Sequence, residues 1–97
     1  MPAYVVAIRD KTKDPAELKA YSATAGKARA EGMKLLAAYG ANEALEGPPT
    51  EGVVLIEFPD MASAKAWYDS PAYTEARKHR FLGADYRFIL FEGLKSA

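Results

Sequence analysis

Residues 52–60 of this 97-residue chain read GVVLIEFPD. β-Branched and large apolar side chains run unbroken from Val53 to Ile56, which marks a strand, and Pro59 with Asp60 ends it and opens a helix. An antiparallel strand with one wet face alternates apolar and polar residues. This one does not: Val53 and Leu55 point one way and Val54, Ile56 and Phe58 the other. Residues 86–93, YRFILFEG, repeat the pattern, with Tyr86, Phe88 and Leu90 opposed to Ile89 and Phe91. Both strands are apolar on both faces.

Working outward, residues 3–9 (AYVVAIR) read as a first strand. Asp14-Pro15-Ala16-Glu17 reads as a helix start, with Asp14 as cap, Pro15 in the first turn and Glu17 at the capping-box position. Leu18, Tyr21, Ala25 and Ala28 then share one helical face, and Gly32 is the expected C-cap. Residues 34–45 read as a second strand with a bulge at Gly40, followed by a Gly- and Pro-rich loop at 47–52. A second helix carries Met61, Ala64 and Tyr68 on one face with Trp67 on its flank. It is expected to break at Ser70-Pro71, where proline removes a donor and serine can cap a new start, and to resume to about Arg80.

The order βαββαβ predicts an α+β, ferredoxin-like fold: a four-stranded antiparallel sheet with two helices on one face. Two helices cover only one face of a sheet that is apolar on both. A second copy of the same sheet is the simplest cover for the other, so the chain is expected to be a homodimer. The interface is expected to carry Val54, Ile56, Ile89 and Phe91, or else their opposite-parity neighbours.

Composition sets further bounds. The length fits one domain spanning residues 1–97. Hydrophobic residues make up 49% of so short a chain, which leaves apolar surface for a partner. The 13 basic residues balance 13 acidic ones, so no surplus exists for non-specific nucleic-acid binding. There is no cysteine and only one histidine, His79, which excludes disulfides, thiolate zinc sites and multi-histidine metal sites within one chain. No metal or cofactor is expected. The N-terminus reads as no signal peptide, and no apolar run approaches a membrane span, so a cytoplasmic location is expected.

The segments Leu45-Glu46-Gly47, VVLIEFP at 53–59, AKAWYDSPAY at 64–73, Arg80 and the closing Phe91-Glu92-Gly93 together resemble the domain-of-unknown-function family 1330. The resemblance covers nearly the whole chain and implies a dimeric α+β barrel. Relatives in that superfamily include cofactor-free monooxygenases, small decarboxylases and ligand-sensing domains, while the family itself has no settled activity. Members often carry Arg-Gly-Gly on the second strand. The matching stretch here is Ala38-Tyr39-Gly40, so that arginine is missing.

Several residues are candidates for binding a ligand. Arg80 shares a helical arc with Tyr73 and Ala76 and points toward the domain, where a guanidinium can hold a carboxylate or enolate, pair with an internal carboxylate, or cover a helix end. Glu57, in phase with Val53 and Leu55, is the expected partner of Arg80 and a candidate acid or base. A structural pairing or an exposed strand end is the alternative. Glu46 follows the second strand and can reach a pocket mouth or satisfy loop amides. Tyr21, Trp67, Tyr68 and Tyr73 read first as core, with a polar pocket lining as the alternative for their hydrogen-bonding ends. Tyr39 can stand in for the missing arginine as a donor. His79 falls away from the Arg80 arc, beside Lys78 and near Glu75, and reads as a solvated surface residue. The expected function is binding or transformation of a small organic acid or aromatic compound in a cleft between sheet and helices. The alternative is a non-catalytic ligand-binding or structural interaction domain.

Overall fold

The computed structural model describes residues 1–94. In chain order the elements are β1 (Ala3–Thr12), α1 (Pro15–Ala25), β2 (Lys34–Ala38), β3 (Gly52–Phe58), α2 (Met61–Tyr68), α3 (Pro71–Gly83) and β4 (Ala84–Glu92). The strands form one antiparallel sheet in the order β2-β3-β1-β4, the ferredoxin-like arrangement. The decisive strand, β3, has the expected bounds, and the second helical region is interrupted where Pro71 stands. The Asp60 carboxylate opens α2 by accepting from Ser63 N at 2.7 Å, and the Ser70 hydroxyl opens α3 by accepting from Tyr73 N at 3.2 Å.

Four expectations about the first half of the chain need correction. The first helix stops at Ala25, not near Gly32. Beyond it, Ala28 is buried and its carbonyl accepts from Trp67 Nε1 at 2.7 Å, a tertiary anchor that takes the chain off the helical path. Gly32 instead adopts φ 79 and turns the chain into β2, a left-handed conformation glycine adopts at no steric cost. The expected strand at 34–45 ends at Ala38, because Tyr39 takes a positive φ of 55 and leaves the extended region. The irregularity in β2 falls between Leu35 and Ala37, not at Gly40. Glu17 forms no capping box: its carboxylate is 2.7 Å from His79 Nδ1, and the Asp14 amide donates to Gly83 O at 3.0 Å.

Register decides the faces. Val5 lies opposite Ile56 on one side and Leu90 on the other, and Ala7 lies opposite Val54 and Phe88. Ala3, Val5 and Ala7 are buried under the helices, so Val54, Ile56, Phe88 and Leu90 share the helix-facing side. Tyr4, Val6, Ile8, Val53, Leu55, Ile89 and Phe91 occupy the open side. Each of the two expected interface sets is therefore split between the faces. A single strand's pattern cannot reveal parity across strands, since the pairing register sets it.

The core forms where the two layers meet. Phe58 and Tyr73 are its largest fully buried side chains, joined by Trp67, Val5 and Ile56. Burying each such side chain contributes roughly 1.5–3 kcal/mol. The molecule measures 41 × 36 × 16 Å, the thin dimension being that of one sheet under one helical layer. Ile89 and Phe91 on the open side remain 46% and 42% exposed, so that face is an unfilled layer.

Candidate functional site

A cavity of about 240 Å³ lies between the sheet and the end of α1. Val54, Ile56 and Phe88 from the sheet line it together with Trp67 and Tyr73. Tyr21 enters from α1 and Tyr39 from the end of β2. Four of the eight expected ligand-binding residues, Tyr21, Tyr39, Trp67 and Tyr73, thus converge on one cleft.

The tyrosine hydroxyls at the cleft are held in pairs. Tyr21 and Tyr73 hydroxyls are 2.8 Å apart, and Tyr39 and Tyr86 hydroxyls 2.6 Å apart. Each pair consumes one hydroxyl hydrogen and leaves the other free for a third acceptor. Burial pushes the Tyr73 hydroxyl up to about 12, against the pull of its bond to Tyr21 and of the Arg80 charge. Burial also drives Tyr21 far above the ordinary tyrosine range, with the neighbouring Tyr73 adding to the rise. Tyr39 is raised by burial and then by its bond to Tyr86. The Tyr39 ring lies against the α-carbon of Gly52, where a β-carbon would meet a ring carbon at 2.5 Å, and the Arg9 guanidinium sits 4.9 Å from its centroid.

Arg80 is 3% exposed, as its helical phase predicts. Glu57 is not its partner. That carboxylate lies on the open side of the sheet, where it accepts from the Tyr4 hydroxyl at 3.3 Å and stands 3.9 Å from Lys34 Nζ. The phase of Glu57 with Val53 and Leu55 reads correctly, but register puts those residues away from the helices. Arg80 lies among aromatic rings instead, its guanidinium 3.9 Å from the centroid of Phe88, 4.8 Å from Phe81 and 5.5 Å from Tyr86. Its Nε is buried with no hydrogen-bond partner among the described residues. Arg80 does not line the cleft itself, yet its charge acts on both the Tyr21 and Tyr73 hydroxyls.

The remaining candidates are elsewhere. Tyr68 lines a second, larger cavity of about 490 Å³ near β4, with Arg77 stacked 4.2 Å above its ring. Glu46 is exposed and does not line the cleft. His79 is not simply solvated: with a side chain 33% exposed, it bridges α3 to α1 through Glu17. Two residues of the site escape the sequence reading. Tyr86 is in phase with Phe88 and Leu90, a signal that was present. Arg29, which also lines the cleft, follows the early end of α1 and so has no helical phase from which to place it. Among the described residues no group of three or more His, Cys, Asp or Glu is set to hold a metal ion, and no helix is long and apolar enough to cross a membrane.

The model of the family described as Domain of unknown function (DUF1330) matches residues 2–94. Among solved structures, the chain is similar to RPA0582, a protein of unknown function from Rhodopseudomonas palustris. Identity there is 23%, the TM-score is 0.70, and the match covers 98% of this chain and 84% of that one. A dimeric ferredoxin-like protein of unknown function from Thermobifida fusca is 19% identical, with a TM-score of 0.69 over 94% of this chain and 90% of that one. SnoaB, a cofactor-independent oxygenase from Streptomyces nogalater, is 17% identical, with a TM-score of 0.65 over 98% of this chain and 95% of that one. At these identities the likeness is one of fold. No curated protein matches the chain.

Proposed function

Since the chain belongs to the DUF1330 family, whose description carries no activity, we propose its function from the cleft: a homodimer that binds a small organic acid or aromatic compound between sheet and helices. The observation that carries this reading is the hydrogen-bonded pair Tyr21 and Tyr73 in the lining of a cavity of about 240 Å³, under the charge of a buried arginine that forms no ion pair among the described residues. Apolar walls with a few convergent polar groups are the usual make-up of a ligand site, and a volume near the bottom of the usual range suits a ligand of about one ring. Binding is favoured over proton transfer by one feature. Tyr21 and Tyr73 keep their protons near neutrality and act as donors, not bases, and neither Glu57 nor His79 lines the cleft.

Isothermal titration of the chain with benzoate, phenol and succinate tests the reading. At least one compound is expected to bind and to raise the melting temperature, and Tyr21→Phe is expected to weaken that binding about tenfold by removing a donor. Absence of heat and of any melting shift with all three compounds would sink it.

The homodimer rests on the open face of the sheet. Its apolar residues, Val6, Ile8, Leu55, Ile89 and Phe91 among them, lie on the side opposite the cleft. The similar protein from Thermobifida fusca is described as dimeric. Packing two such faces leaves both clefts on the outside of the dimer, accessible to ligand.

A further inference from the structure

The charge around the cleft narrows its ligand. Among the described residues that line it, Arg29 alone is charged, and none is an aspartate or glutamate. Arg29 has no carboxylate partner among the described residues. Behind the tyrosine pair, Arg80 keeps a buried positive charge that no carboxylate of the described residues neutralises. The Arg29 charge at the lining and the field of Arg80 from behind the tyrosine pair, with no carboxylate among the described lining residues, give the cavity a positive potential. The complement is an anion.

The polar groups occupy separate parts of the lining. The Tyr21–Tyr73 pair offers a free hydroxyl hydrogen to an oxygen acceptor, and the Arg80 charge favours an electron-rich oxygen there. Arg29, exposed on the segment after α1, offers a guanidinium fork, which suits a carboxylate held by two parallel bonds. Between them the wall is apolar and partly aromatic, with Trp67 and Phe88 against Val54 and Ile56. Deepening the reading of this cleft as a ligand site, and resting on it, we propose that its ligand class is the small hydroxyaryl carboxylate. The ring lies between these apolar walls, the phenolic oxygen accepts from the Tyr21–Tyr73 pair, and the carboxylate meets Arg29, which sets specificity.

Titration of the intact chain with 3-hydroxybenzoate, 4-hydroxybenzoate, benzoate, phenol and 4-hydroxybenzamide tests the proposal. The better of the two hydroxybenzoates is expected to bind about tenfold more tightly than benzoate, phenol or the neutral amide, in line with one added charge-assisted hydrogen bond. Arg29→Gln, at an exposed position where folding is insensitive, is expected to lower hydroxybenzoate affinity to that of phenol and leave phenol unchanged. Tyr21→Phe is expected to lower it to that of benzoate. Equal binding of the amide and the hydroxybenzoates, or an Arg29→Gln variant that binds hydroxybenzoate as the parent does, would overturn the ligand class while leaving the cleft as a binding site. Failure of all five compounds, and of succinate, to bind would overturn both.

Discussion

Arg80 shows how far helical phase reaches and where it stops. Its period with Tyr73 and Ala76 is enough to turn it inward, and it is 97% buried by its 3% exposure. Its surroundings were not legible, because the choice of Glu57 as partner depended on which face of β3 meets the helices, and cross-strand register alone decides that. The aromatic cage predicts an uneven response to substitution. Arg80→Met keeps most of the packing and removes an unpaired charge, so stability is expected to hold or rise by about 1 kcal/mol. Arg80→Ala also opens a cavity and is expected to cost about 2–4 kcal/mol. Urea unfolding midpoints of the two variants separate these outcomes, and a large loss in both would show that the charge itself holds the fold. Tyr73 gives a second test. Because its folded value is raised to about 12 from an ordinary 10.0, the neutral hydroxyl is favoured in the fold, and its stabilisation is present below pH 10 and lost as pH climbs toward 12. Over that window this one group is expected to remove up to about 1.4 kcal/mol per pH unit. Alkaline unfolding monitored alongside tyrosinate absorbance measures the slope, and Tyr73→Phe should reduce it, the raised Tyr21 and Tyr39 supplying the remainder.

Among the elements, those set by local chemistry were legible and those set by tertiary contact were not. Asp60 and Ser70 cap α2 and α3 where the sequence places caps, and Ser70→Ala is expected to lower stability by about 1 kcal/mol in thermal or urea unfolding. The early end of α1 depends on Ala28 being fixed to Trp67, residues far apart in the chain. The short β2 depends on Tyr39, whose positive φ is held by a hydroxyl bond to Tyr86 and a ring laid on Gly52. Such a conformation costs of order 1 kcal/mol and persists only where the surroundings over-determine it. Gly52→Ala is therefore expected to displace the ring, cost roughly 1–3 kcal/mol, and free the Tyr39 hydroxyl. The checks are calorimetry for the cost and the tyrosine titration for the hydroxyl, whose raised value should fall toward the ordinary range as the displaced ring loses its burial and its bond to Tyr86.

At the scale of the whole molecule, the two-sided apolar pattern of β3 and β4 was enough to read a second layer into the fold, and the 16 Å thickness leaves one face without cover. Leu55 and Ile89 sit on that open face. An aspartate at either position would place a charge in the middle of the proposed interface, so Leu55→Asp and Ile89→Asp are expected to give monomers by light scattering where the parent chain is a dimer at micromolar concentration. A monomeric parent would remove the dimer from the account and leave the cleft, on the other side, untouched. That cleft has an optical consequence of its own. Trp67 is the single tryptophan of the chain; its indole N–H is anchored to Ala28 and its ring lies 4.1 Å from that of Tyr73. Selectively excited intrinsic fluorescence therefore comes from a residue in the wall of this cavity, so the protein carries a built-in reporter of occupancy that needs no label.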